Sequence, residues 1–401
     1  MIMKRIYLVV ALCMLASFSF AQKKAVKDAK SAMNSNNYDE ARALIKPALT
    51  DPETANNPET WKIAGDIEYK AFDLERTNEM TKTISGKSAD EAKMYSGLYN
   101  MYEPYLKSDS LGELPDEKGK VKNKFRKDIA KALKETHPFY INGGLYYNGK
   151  EDYNKASEFF ERFWIMPSLD IFKDDQEGFK IDSTFQAIKY YAAITSIQAK
   201  DHARAIKLLN KMNQEPYIDN STYKPSDVYE LLASEYSQTG DSVNYIAILR
   251  EGASKFPSNK YFTPNLINEF IRAGKNNEAL DYLDQAISND PTNTCDLKSV
   301  KASLYVDQKD YEKAQTAYSE ALQNDPNCER ALEGIGVLLV IQAQDVKEKA
   351  GQTTNRKEQV ELDKQTVDLY SKSLPYLEKY RDIVKARNAE SKDIRNALMK
   401  L

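Results

Sequence analysis

The feature that most constrains this chain is a period near 34 residues in its C-terminal half. Pro257, Pro291 and Pro326 fall 34 and 35 residues apart, and Ala279 and Ala314 are also 35 apart. Self-similarity at such a spacing marks a repeat architecture. Each two-helix unit has an apolar face that it cannot bury alone, and the next unit covers it. The clearest unit, 295–328, carries Ala302, Tyr305, Tyr311, Ala314, Tyr318, Ala321 and Pro326. Small residues let two antiparallel helices approach, large ones fill the space beside the crossing, and the proline stops the second helix.

The neighbours keep the rhythm. Ala233, Tyr236, Leu249 and Gly252 occupy these sites before Pro257; Phe270, Ala279, Leu283 and Ala286 do so after it; Leu332, Ile335, Gly336 and Leu339 restart the pattern beyond Cys328. Tyr38, Ala41, Ile45 and Ala48 form a second-helix signature near the N-terminus, followed by Trp61, Gly65 and Tyr69 in a first helix. Gly144, Tyr147, Tyr153, Ala156, Phe160 and Pro167 make a strong unit in mid-chain, and Ala193, Ala205, Leu209 and Met212 a weaker one. The sequence therefore holds about eight units. The pattern closely resembles the tetratricopeptide-repeat (TPR) superfamily, whose seven characteristic small, aromatic and proline positions are all matched in 295–328; Lys301 departs from the usual leucine. The resemblance implies an all-α, TPR-type α-solenoid: a right-handed superhelix of helix-turn-helix repeats, with a concave wall made of first helices. It constrains fold and not function.

Two stretches break the period. Residues 72–136 read as a helical insertion: Met94, Leu98, Tyr102, Tyr105 and Leu106 share a helix face, Leu111 to Pro115 is a breaker, and a basic linker with Lys118, Lys120, Lys122, Lys124, Arg126 and Lys127 follows. Asp116, Glu117 and Asp128 dilute that charge, so a solvated linker is preferred to an anion site. Residues 346–367 are polar and lengthen the helices of the last unit, with a turn at 351–355; Ile394, Ala397, Leu398 and Leu401 lie on one face of a C-terminal capping helix. The expected organisation is a leader (1–21), N-terminal repeats (22–71), the insertion (72–136), central repeats (137–217), a regular array (218–328) and a last elongated repeat with its cap (329–401). A long tyrosine-rich insertion after the second unit and a leader ending Phe20-Ala21-Gln22 resemble the exported TPR proteins of Bacteroidetes.

The first residues read as a secretory signal. Lys4 and Arg5 precede an apolar run from Ile6 to Phe20, and Ser19 and Ala21 place small residues for cleavage before Gln22. A membrane anchor is the alternative. The run is shorter than the roughly 20 residues of a spanning helix, and Lys23, Lys24, Lys27 and Asp28 follow it. Leu12 before Cys13 departs from a lipoprotein signal. Export implies the periplasm, whether free or held at the outer membrane.

Catalytic constellations are lacking. His137 and His202, the only histidines, are 65 residues apart, and no His-Glu-x-x-His, Cys-x-x-Cys or Gly-x-Ser-x-Gly is present, so neither metal nor cofactor is expected. Gly86-Lys87-Ser88 has Thr81 where a phosphate loop needs its first glycine. The net charge of −3 gives no excess that points to nucleic acid.

Binding remains. In the family, first-helix side chains at recurring positions face the groove; here these are Asp227, Glu230 and Ser234, then Tyr261, Asn268 and Arg272, then Ser299 and Ser303. They suit a protein or peptide partner bound by hydrogen bonds, which makes the expected function a non-enzymatic scaffold of the cell envelope. The two-lysine clamp of chaperone-linked TPR proteins is not evident. A glycan-binding accessory role is the alternative, because 26 tyrosines offer rings with hydroxyls. Cys295 and Cys328 stand at the starts of successive first helices. A disulfide wants Cα atoms within about 7 Å, less than the usual helix separation of 8–10 Å, so a bridge and two small core residues both remain open. Asp109-Ser110-Leu111, Asp182-Ser183-Thr184 and Asp241-Ser242-Val243 resemble the short O-glycosylation signal of Bacteroidetes, which marks Ser110, Ser183 and Ser242.

Overall fold

The computed structural model describes residues 22–289 and 294–398, with side chains described up to 389; the leader, Cys13 and Pro291 lie outside them. Among the described residues every regular element is a helix. In order they are α1 (22–34), α2 (Tyr38–Ile45), α3 (Pro58–Ser85), α4 (Glu91–Gly112), α5 (Arg126–Thr136), α6 (Phe139–Gly149), α7 (Tyr153–Ile165), α8 (Ser183–Gln198), α9 (His202–Gln214), α10 (Pro225–Gln238), α11 (Ser242–Lys255), α12 (Phe262–Arg272), α13 (Asn276–Asn289), α14 (Thr294–Asp307), α15 (Tyr311–Asn324), α16 (Glu329–Gln352) and α17 (Arg356–Leu398). They form antiparallel hairpins of α-solenoid type.

One turn recurs six times and explains why the hairpins form where they do. Asn36, Glu151, Lys200, Gly240, Gly274 and Lys309 all have positive φ, between 59° and 73°. Each ends a first helix in a Schellman motif. Glu151 N–H donates to the Asn148 carbonyl at 3.0 Å, and Asp152 N–H reaches back five residues to Tyr147 at 3.0 Å. The residue after the left-handed one then starts the second helix. Asp152, Asp201, Asp241 and Asp310 accept the N–H of Lys155, Arg204, Asn244 and Lys313. With this turn, α1/α2, α6/α7, α8/α9, α10/α11, α12/α13 and α14/α15 are the regular hairpins.

Two hairpins are built differently. The α3/α4 hairpin has helices of 28 and 22 residues, and α16/α17 of 24 and 43. The expected insertion at 72–136 therefore does not begin where a repeat ends: its boundary falls inside α3, which continues to Ser85 and returns as α4. The period was lost because the hairpin was lengthened, and only α5 stands outside a hairpin. The expected capping helix is likewise no separate element. α17 is one helix from Arg356 to Leu398, with Pro375 inside it; the side chains of Ile394, Ala397 and Leu398 and all of Leu401 lie outside the described residues.

The chain divides into two compact units, 1–228 and 229–401, with the division inside α10. In the first, Ala29, Ala32, Ala41, Ile45, Ile63 and Ile67 join α1, α2 and α3. In the second, Ala302, Ala314, Tyr318, Ala321, Ala331 and Ile335 join α14, α15 and α16. The helices approach closely enough that a Cβ on Gly144 would lie 2.3 Å from the Phe160 ring, and one on Gly252 2.4 Å from Phe262.

Candidate partner-binding surfaces

In the second unit the first-helix positions prove to be tied into the fold to different degrees. Glu230 is half-buried and accepts from Asn259 Nδ2 at 2.7 Å, while Asn259 Oδ1 accepts the N–H of Tyr261 at 2.8 Å. This chain of bonds fixes the entry to α12. Ser234 Oγ accepts from Gln238 at 3.3 Å. The Tyr261 carbonyl accepts from Asn265 at 2.7 Å, and its ring packs edge-on to Phe262. Asn268 and Arg272 are exposed one turn apart on α12, with Arg272 paired to Glu269. Ser303 is exposed, donates to the Ser299 carbonyl at 3.0 Å and meets Tyr318 OH at 3.0 Å.

One of the sequence assignments needs correction. Ser299 does not face a groove. It is fully buried, its hydroxyl donating to the Cys295 carbonyl at 2.7 Å and lying 3.7 Å from Cys328 Sγ, because α14 and α16 pack together at this level. Asp227 falls in the first unit, and its carboxylate accepts the Lys224 N–H at 2.8 Å. That bond closes the first turn of α10 in the manner of a capping box.

Cys295 and Cys328 are bonded to each other, with Cα atoms 5.8 Å apart. The bridge joins the starts of α14 and α16, where Cys328 lies in the turn before its helix. At the three Asp-Ser pairs, Ser110, Ser183 and Ser242 are all exposed. Their aspartates already have local roles. Asp182 caps α8 and Asp241 caps α11, while Asp109 pairs with Arg126 at 2.9 Å.

Two open grooves were not singled out from sequence. In the first unit an open groove of about 820 Å³ runs between α2, α3 and the start of α4. Ala71, Leu74 and Ala92 line it, with Leu74 exposed; Asp39, Glu40, Glu75 and Asp90 rim it, against Arg42 and Lys93. Arg42 is already committed to Glu68, by two hydrogen bonds of 2.8 Å, and to Asp39. The groove thus has an acidic rim and an apolar floor. In the second unit a groove of about 540 Å³ lies on α13, α14 and α15, lined by Lys298, Lys301, Tyr305 and Lys313 among others. Its lysines are paired with Glu320, Asp284 and Asp310 respectively. Neither groove contains a residue of the predicted first-helix set. The exposed Leu74, at a position outside the repeat pattern, was the available signal for the first.

The basic stretch 118–127 divides. Lys122 approaches Asp116 at 3.5 Å in an exposed loop, whereas Arg126 is bound to Asp109, Glu113 and Asp170. Gly86 ends α3 in the left-handed region, with open space where a Cβ would stand. His137 is buried, stacked on Phe163 at 4.1 Å, and its Nε2–H donates to the Phe163 carbonyl at 2.9 Å. Burial lowers its pKa to about 4. Among the described residues no group of His, Cys, Asp or Glu is arranged to hold a metal ion, and no helix is long and apolar enough to cross a membrane.

Residues 270–336 match the tetratricopeptide repeat family model. They run from the end of α12 into α16 and include the turns at Gly274 and Lys309. This stretch of the chain is built of tetratricopeptide repeats. Among solved structures the chain is similar to MamA from AMB-1, at 17% identity over 51% of this chain and 94% of that one, with a TM-score of 0.32. It is also similar to YrrB, described as a TPR protein with an unusual peptide-binding site, at 16% identity over 52% of this chain and 96% of that one, TM-score 0.32. A search of the curated proteins finds no match.

Proposed function

We propose that this TPR protein is a non-enzymatic scaffold of the cell envelope that holds a protein or peptide partner. The observation that carries the reading is the open groove on α2, α3 and α4. An apolar floor with the exposed Leu74, under a rim of four carboxylates and two already engaged cations, suits an apolar side chain flanked by Lys or Arg. In the second unit, Glu230, Tyr261, Asn268, Arg272 and Ser303 offer a polar surface for further hydrogen bonds. Export to the periplasm is supported by the leader pattern and by the Cys295–Cys328 bond, since disulfides persist in oxidising compartments. Attachment to the outer membrane and glycans on Ser110, Ser183 or Ser242 belong to the same proposal.

The glycan-binding reading has less support. Tyr105, Tyr140 and Tyr190 are fully buried, and the first-unit and second-unit grooves each offer a single tyrosine, Tyr38 and Tyr305. The decisive experiment is crosslinking in intact cells, then affinity capture and mass spectrometry. A partner lost on Leu74→Glu with Asp39→Lys and Asp90→Lys places binding in the first unit; one lost when Glu230, Asn268 and Arg272 are changed together places it in the second. Retention on a glycan column with no protein captured would overturn the scaffold reading. Intact mass of the same material tests cleavage before Gln22 and glycosylation at once.

A further inference from the structure

The two halves of the Cys295–Cys328 bridge are not equivalent. Both residues line an open pocket of about 460 Å³, but Cys295 is half-buried whereas Cys328 is 1% exposed. Their places in the helices differ too. Cys295 is the second residue of α14, inside the helix. Cys328 is the N-cap of α16, and while bridged its sulfur makes no cap bond. The N–H groups of Glu329, Arg330 and Ala331 open that helix, where the first N–H groups have no acceptor within the helix. A thiolate on Cys328 would accept from them at the positive end of 24 residues of helix, a setting that favours the anion. The acids around it are partnered. Arg387 holds Glu329 at 2.7 Å, Arg330 lies 3.6 Å from Asp296, Asp325 accepts from Asn327 and Glu333 from Tyr380.

We infer that the bridge is a thiol-exchange site, at which a low-molecular-weight thiolate adds to Cys295 Sγ from the pocket and Cys328 leaves as the thiolate. The new S–S bond forms as the old one breaks, and the electron pair goes to Cys328 Sγ. A second thiolate then removes the first as a disulfide. Two thiolates are thereby oxidised and the bridge is reduced to two cysteine thiolates. The reagent must enter the pocket to reach Cys295, which selects a small molecule over a cysteine carried by a folded domain. Scission does not free the helices. Ala302, Ala314, Ala331 and Ile335 pack in one core with Cys328, so Cys328 stays beside Cys295 and expels the added thiol when the thiol concentration falls. The bridge is a reversible tie between α14 and the last hairpin, set by the thiols around the folded protein.

The test treats the mature full-length chain with dithiothreitol in native buffer and counts free cysteines after acid quenching. Reduction in proportion to dithiothreitol is expected, unchanged by low urea and with the circular dichroism of the helices retained. A rate that saturates with dithiothreitol and climbs with urea would place the attack in an opened state and overturn the inference. Direction is read in the same chain with mercaptoethanol: the mixed disulfide trapped by acid is expected on Cys295, and one found on Cys328 overturns the assignment. Two variants check it independently. Cys328→Ala leaves Cys295 alone and Cys295→Ala leaves Cys328 alone, and circular dichroism shows that each is folded. Towards an aromatic disulfide reagent Cys295 should react faster by roughly tenfold, as a half-buried cysteine against an enclosed one. Equal rates would remove the distinction on which the inference stands.

Discussion

In the first unit the hairpins close on rings. Phe72, Tyr105, Tyr140, Phe159, Phe160, Phe172 and Tyr190 are fully buried there. Charge is buried with them: Lys189 pairs with Glu215 at 2.6 Å, and Arg162 lies 4.0 Å over Tyr99 and 4.7 Å over Tyr102. In the second unit, around α14 to α16, they close on methyl groups, with Ala302, Ala314, Ala317, Ala321 and Ala331 buried and a disulfide beside them. The turn is shared and the filling is not. Rings take polar and charged partners into the core with them. Alanines bring helices close, and the repeat then reads clearly; the family match lies wholly in that unit.

If the second unit depends on its cross-link, losing it should be the largest single effect. Cys328→Ser removes a loop constraint over 33 residues, and about 3–4 kcal/mol of stability should go with it. Both tryptophans, Trp61 and Trp164, belong to the first unit. The loss should therefore appear in far-ultraviolet circular dichroism during denaturant unfolding and leave the tryptophan transition where it was. Equal displacement of both would mean that the units unfold together.

The first unit should answer to acid instead. His137 has its folded pKa lowered to about 4 by burial, against an unfolded value of about 6.5. Its neutral form is favoured by folding, so this contribution is complete above about pH 6.5 and is lost as pH falls toward 4; below that it changes no further. The difference corresponds to at most about 3 kcal/mol. His137→Phe should flatten the tryptophan-monitored stability between those limits. A dependence that survives the substitution would assign the acid response to other groups.

The same two units show what the sequence could reveal. The regular hairpins were legible because a small residue at 302, 314 or 321 has few uses in a helix other than close approach. The lengthened α3/α4 hairpin was read as an insertion because its helices outrun the 34-residue period, although Gly65 beneath Tyr105 and Gly97 against Phe72 mark its crossing. Ser299 looked like a groove residue because serine is polar; its burial depends on α16 arriving 30 residues later. The α2/α3/α4 groove was hidden for a related reason. Its acids come from three helices, and only the fold puts Asp39, Glu75 and Asp90 around Leu74.

Close approach occurs in both units, which offers a way to break the contrast. A Cβ on Gly144 would meet Phe160, and one on Gly252 would meet Phe262; both rings are essentially fully buried. Gly144→Leu and Gly252→Leu should each cost about 2–3 kcal/mol by overpacking, the first in the tryptophan signal and the second in circular dichroism. A much smaller cost for Gly252→Leu would show that the second unit repacks more freely.

The smallest effect concerns the element both units share. Lys200 and Lys309 sit at φ of 59°, where an L residue pays for its Cβ by about 1–2 kcal/mol. Glycine removes that strain but adds about 0.5–1 kcal/mol of unfolded-state entropy to be lost on folding. Lys200→Gly and Lys309→Gly should therefore stabilise by only about 0.5 kcal/mol, by the same amount in each unit. Gly240→Ala and Gly274→Ala, at φ of 73° and 68°, should lose about 1 kcal/mol. Equal gains at Lys200 and Lys309 would mean that the turn works independently of whether rings or methyls fill the hairpin behind it. Unequal gains would mean that the packing behind the turn sets how much of its strain is felt.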